Sequence, residues 1–89
     1  MEIESGATED VIKRLRRIEG QIGGIIRMLE QQRDCADVVT QLAAASRALD
    51  RAGFKILSSG MKQCITATAN GEAEPMSAAQ MEKLFLTLA

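Results

Sequence analysis

The sequence predicts an all-α protein of three helices, two long and one short. Three observations carry this. Apolar residues recur in alternating steps of three and four through most of the chain. No stretch alternates apolar and polar residues as a half-buried strand does. Phe54 and Phe85 are the only aromatic residues, so the core must be built from Leu, Ile, Val, Ala and Met. At 89 residues the chain reads as a single domain spanning 1–89. So small an aliphatic core is expected to finish its burial by oligomerising.

The first helix follows from Val11, Leu15, Ile18, Ile22, Ile25 and Leu29, a heptad seam that Ile12 and Ile26 widen. Thr8 is the expected N-cap, with Glu9 and Asp10 in the first turn, and residues 1–7 are expected to be a flexible lead-in. Gly20, Gly23 and Gly24 suggest close approach of a neighbouring helix, and Gln31-Gln32-Arg33 is the natural exit. The second helix opens at Asp34, a good N-cap with Asp37 three residues later. Its seam is Cys35, Val38, Leu42, Ala45, Leu49, Ala52 and Ile56, carried on by Leu57, Met61, Cys64 and Ile65. Gly53 and Gly60 are soft points within it. Asn70-Gly71 signals its end and Pro75 a stop. Ser77 then caps a short helix with Met81, Leu84, Phe85 and Leu88 on one face. The five methionines show no ligand spacing and read as core filler.

Composition excludes several chemistries. Without histidine there is no Ser-His-Asp or Cys-His catalysis and no imidazole metal site. No acid–base or cofactor constellation is present, so an enzyme is the least expected class and no cofactor is expected. Two cysteines cannot form a four-thiolate zinc site in one chain. No apolar run is long enough to span a membrane, and the acidic start lacks an apolar signal core. A cytoplasmic location is expected, where thiols stay reduced. The net charge of −1 hides an asymmetry: residues 1–10 carry −4, residues 11–62 carry +5 and residues 63–89 carry −2. The densest basic cluster is Lys13-Arg14-Leu15-Arg16-Arg17. A basic middle between acidic ends suits a polyanion bound on one face, and it is equally the charge of a solvated helix face.

Cys35 and Cys64 are 29 positions apart. On one continuous helix that is about 43 Å, far beyond the roughly 7 Å that a disulfide allows between Cα atoms. In a two-fold dimer with antiparallel second helices, Cys35 of one chain approaches Cys64 of the other, at two symmetric sites. The alternative is that each cysteine is a small apolar seam residue.

Two stretches resemble a known family. Ile12-Lys13-Arg14-Leu15-Arg16-Arg17-Ile18-Glu19-Gly20-Gln21 is similar to the first-helix signature of the CsoR/RcnR family of helical bacterial repressors. Asp34-Cys35-Ala36-Asp37-Val38-Val39-Thr40-Gln41-Leu42 is similar to its second-helix opening. The resemblance covers roughly residues 8–88. It implies an antiparallel four-helix-bundle homodimer that pairs into a tetramer and lacks a helix-turn-helix. It implies operator DNA as partner, bound through basic helical surfaces and released when an effector reaches a cross-subunit cysteine site. The DNA-binding residues it implies are Arg14 and Arg51. Lys13, Arg16, Arg17, Arg47 and Lys55 extend the patch by phosphate contacts.

Copper-sensing members of that family hold Cu(I) with two cysteines and a histidine one turn before the second. Cys35 and Cys64 match the thiols, but Gly60 stands at the histidine position. Nickel and cobalt sensing rely on histidine and are excluded more firmly. Formaldehyde sensing uses a proline where this chain has Glu2. The persulfide-sensing branch keeps both thiols without the histidine, and the resemblance is nearest to it. The expected effector is therefore a small reactive sulfur species, attacked by Cys35 at its electropositive helix opening and resolved by Cys64 of the other subunit. Two further readings stand beside it: Cu(I) held by the same two thiolates, and a helical adaptor oligomer that binds a protein partner instead of DNA.

Overall fold

The computed structural model describes residues 1–89 and contains three helices, α1 (Ser5–Glu30), α2 (Cys35–Ala69) and α3 (Ala78–Leu88). Helices α1 and α2 form a long hairpin, and α3 folds back on the C-terminal half of α2. The molecule measures 58 × 24 × 14 Å, so its thin dimension is little more than one helix diameter.

Each helix ends for a local reason. The Asp34 carboxylate caps α2 by accepting from the Ala36 N–H at 3.1 Å. The Ser77 hydroxyl caps α3 by accepting from the Gln80 N–H at 3.2 Å. At the end of α2, Gly71 turns left-handed with φ +70°, while Glu72 N–H donates to Ala67 O and Gly71 N–H to Thr68 O. That is a Schellman ending with glycine where glycine is favoured. The end of α1 has the same bonds, from Arg33 N–H to Met28 O and Gln32 N–H to Leu29 O. There the left-handed residue is Gln32, with φ 56°, which carries the Cβ penalty that glycine escapes.

Helix α1 begins at Ser5, ahead of the Thr8 cap expected from the sequence. The Thr8 N–H already donates to Glu4 O at 2.9 Å, so Thr8 lies inside the helix. Nothing upstream forbids helix, and the preceding residues are held on α2: Met1 lies over Gly60, and the Gln63 side-chain amide donates to Glu2 O at 3.4 Å. Of the expected flexible lead-in, residues 5–7 thus form the first turn of α1. The first turn contains no acidic residue, because Glu9 and Asp10 fall in the second.

Both heptad seams split into two stripes. Val11, Ile18 and Ile25 of α1 are buried, as are Val38, Ala45 and Ala52 of α2. These are the stripes that close the hairpin, with Ile25, Val38 and Ala45 in one cluster backed by Met28. The alternate positions, Leu15, Ile22 and Leu29 on α1 and Leu42 and Leu49 on α2, remain exposed. Only 10 of 89 residues are buried, so a single chain leaves half of each seam uncovered. Within one chain Gly20, Gly23 and Gly24 meet no neighbouring helix: beyond α1 backbone, a Cβ would approach nothing at Gly20 and only the Arg27 guanidinium at the other two. The hairpin closes along the Val11 stripe instead.

Helix α3 uses the two glycines of α2 as its floor. A Cβ at Gly53 would lie 2.8 Å from Leu88 Cδ2, and one at Gly60 would lie 3.6 Å from Met81 Cε. Both pairs are seven residues apart, so α3 runs antiparallel along one face of α2. Phe54 and Phe85 meet edge to face between them, with centroids 5.6 Å apart.

Candidate functional site

The hairpin builds a cationic groove. Arg14 and Arg17 from α1 face Arg47 and Arg51 from α2 across a cleft of about 350 Å³, floored by Ile18, Gln21, Ala44 and Ala48. The buried Val11, Ile18 and Ile25 stripe fixes α1 against α2, and the arginines sit on the rim beside it. Their spacing follows from helix periodicity: Arg47 and Arg51 are one turn apart on α2 and project together. The Arg14 Nε donates to Asp10 Oδ2 at 2.9 Å, both side chains being a little over 40% exposed. That hydrogen bond, more than the surrounding Arg14, Lys55 and Lys13 charges, holds the Asp10 carboxyl below its ordinary value.

A second groove adjoins along the same helices, lined by Glu4, Asp10, Lys55, Ser58, Ser59 and Lys62. Lys55 thus sits beside the arginine groove rather than in it. Lys13 and Arg16 are exposed on α1 and line neither groove. Lys62 was not singled out from the sequence. Its signal was its place seven residues after Lys55, two turns along the same face.

The two cysteines lie at opposite ends of the unbroken α2, so they cannot pair within a chain. Both are free. Cys35 is exposed at the first position of the helix, in register with the exposed Leu42 and Leu49. Cys64 is half-buried, and its thiol donates to Met76 O at 3.5 Å. Thr68 fixes the segment behind it, its one hydroxyl proton shared between Cys64 O and Glu74 Oε1.

No three His, Cys, Asp or Glu side chains of one chain come together as a metal site. Cu(I) is a soft ion that prefers sulfur, so two free thiols suit it while the lack of imidazole disfavours nickel. Gly60 lies one turn before Cys64 on the same face and is buried. The space beside it is filled: a Cβ there would lie 3.1 Å from Met1 Cε and 3.6 Å from Met81 Cε. Met76 joins these two in lining a cavity of about 140 Å³. Three methionines that read as filler are therefore gathered around Gly60, one turn before Cys64.

A helical hairpin with a four-arginine groove and free thiols near the two ends of one helix defines a small all-α protein. Residues 7–88 match the family of metal-sensitive transcriptional repressors, and the chain belongs to that family. It is 42% identical over 64 residues to the copper-sensing transcriptional repressor RicR of Mycobacterium tuberculosis, covering 71% of this chain and 67% of that one. It is 33% identical over 67 residues to the copper-sensing transcriptional repressor CsoR of Bacillus subtilis, covering 74% and 66%. Among solved structures, the nickel-responsive transcriptional regulator InrS superposes with a TM-score of 0.81 at 32% identity, covering 100% of this chain and 98% of that one. The chain spans about two thirds of the length of these two copper-sensing relatives. The relatives are repressors rather than enzymes. No helix is long and apolar enough to cross a membrane.

Proposed function

We propose that the protein is a cytoplasmic operator-binding repressor that releases DNA when Cu(I) is held between Cys35 of one subunit and Cys64 of the partner subunit. The observation that carries this is the placement of both thiols on one unbroken helix with exposed Leu42 and Leu49 between them. The halfway point between the cysteines falls between Leu49 and Asp50. A two-fold axis there pairs Leu42 and Leu49 with a second antiparallel α2 and sets each Cys35 against Cys64 of the partner subunit. The exposed Leu15, Ile22 and Leu29 stripe of α1 supplies the rest of a four-helix bundle, and two such dimers make the working tetramer.

The relatives support copper over reactive sulfur as the effector. The resemblance drawn from the sequence favoured reactive sulfur, but the curated relatives cited above are copper-sensing repressors. Cys35 and Cys64 supply two soft donors, and Cu(I) accepts them without imidazole. Arg14, Arg17, Arg47 and Arg51 neutralise operator phosphates, with Lys55, Lys13 and Arg16 widening the field. Helix α2 carries both the thiols and the α2 arginines. Joining two α2 helices at both ends fixes their crossing, and with it the spacing of Arg47 and Arg51 between subunits.

One observation keeps reactive sulfur as the second reading: Gly60 removes the third donor of a copper site, while a thiol pair alone suffices for sulfur chemistry. Anaerobic fluorescence anisotropy on the protein's own promoter region separates the two. The copper reading predicts release by stoichiometric Cu(I) under a competing chelator, abolished by Cys35→Ser or Cys64→Ser. Retention of DNA with Cu(I), combined with release by polysulfide, would install the sulfur reading. No salt-dependent DNA binding at all would favour the adaptor.

A further inference from the structure

We propose that the Met81 thioether is the third Cu(I) donor, delivered by α3 into the space over Gly60. This rests on the copper reading above. Position 60 is one helical turn before Cys64, and side chains four apart on a helix face lie about 5–6 Å apart at Cβ. The Met81 methyl is 3.6 Å from where a Cβ at position 60 would stand. The thioether thus lies over the turn that precedes Cys64, and methionine, with three flexible torsions, is the side chain most able to swing toward a metal held there. A thioether is among the soft ligands that select Cu(I).

Met81 is favoured over its neighbours by how it is held. It is half-buried on a helix whose far end is seated by Leu88 against Gly53 and whose middle is pinned by Phe85 on Phe54. Met1 reaches the same space from a chain end secured by one 3.4 Å hydrogen bond at Glu2. Met76 lines the same cavity but meets Cys64 through its carbonyl oxygen. A donor on a packed helix is better preorganised than either. A Cβ at position 60 would meet Met1 Cε at 3.1 Å and Met81 Cε at 3.6 Å, so a larger side chain there would compete with the thioether for this space.

The test is X-ray absorption at the selenium and copper edges on selenomethionine-labelled, full-length protein loaded with Cu(I) without oxygen. Expected are a copper neighbour at bonding distance from selenium and three sulfur or selenium neighbours around copper. Met81→Leu, which keeps side-chain volume, should remove that neighbour and lower Cu(I) affinity by about 10- to 100-fold. Met61→Leu, at an exposed position on α2, should change neither. Gly60→His combined with Met81→Leu should recover affinity without a selenium neighbour. Two-sulfur copper with no selenium neighbour, or a neighbour that persists in Met81→Leu, overturns the role of Met81 while leaving copper sensing intact. Failure of the wild type to bind Cu(I) through Cys35 and Cys64 overturns both.

Discussion

The two halves of α2 have the same heptad spacing but opposite surroundings. Toward its N-terminus, α2 packs on α1 with Val38, Ala45 and Ala52 and leaves Cys35, Leu42 and Leu49 open. Toward its C-terminus it is roofed by α3 and by the start of the chain, seated on Gly53 and Gly60. One half keeps an apolar stripe for a second copy, and the other is completed by its own chain. The two thiols divide in the same way, one exposed and one half-buried and donating to Met76 O. A site built between subunits thus meets an exposed donor with one already held by its own chain.

The largest expected effect comes from the open half. Leu49→Glu places two carboxylates together at the proposed two-fold axis. It should weaken dimerisation by about 3–5 kcal/mol, the cost of an unpaired buried charge. Sedimentation should then show monomer at micromolar concentration, with DNA and Cu(I) binding lost together. The matching change in the covered half is Phe85→Ala, which removes the edge-to-face contact with Phe54. It should lower thermal stability by roughly 1–2 kcal/mol and leave association unchanged, since Phe85 is already about half exposed. Equal loss of association in both variants would dissolve the distinction between the halves.

Much of this division was legible. The heptad spacing located the helices, and Asp34, Ser77 and Asn70-Gly71 marked their ends where the structure has them. Spacing alone could not say which stripe of each seam closes the hairpin, because Val11 and Leu15 are equally apolar and only packing against α2 separates them. The methionine cluster was hidden for another reason: Met1 stands at the other end of the sequence from Met76 and Met81, and the α3 fold-back brings all three over Gly60. A faint signal existed in the seven-residue spacing of Gly53 and Gly60, which matches that of Met81 and Leu88. The same limit hid Lys62, whose groove exists only once α1 reaches back to Glu4. Charge showed a basic middle, whereas the convergence of Arg14 and Arg17 with Arg47 and Arg51 needed the hairpin.

Smaller effects sharpen the picture. Arg14→Ala and Arg51→Ala should each weaken operator binding and reduce the log–log salt slope by about one, while stability stays within roughly 0.5 kcal/mol. Anisotropy across a salt series checks this, and unchanged affinity in both variants would place the DNA face elsewhere. Gln32→Gly relieves the left-handed glutamine at the end of α1 and should raise stability by about 1 kcal/mol in urea unfolding.

The smallest effect concerns Asp10. Its carboxyl is held below the ordinary value of 3.8, chiefly by the hydrogen bond from Arg14. The bond's contribution to stability is therefore present above that pH and is lost as pH falls through the lower folded value. Asp10→Asn should flatten that acid limb in a pH series of thermal melts. It should also free the Arg14 guanidinium and strengthen DNA binding slightly.

The central claim is that each effector site joins the open end of one α2 to the covered end of another. Heterodimers of Cys35→Ser with Cys64→Ser, isolated through two different affinity tags, test it most directly. Each variant alone should lack a tight Cu(I) site. The heterodimer should regain one tight site of the two in wild type, because one Cys35 again faces Cys64 of the partner subunit. Tight Cu(I) binding by either homodimer, or none by the heterodimer, would contradict the account.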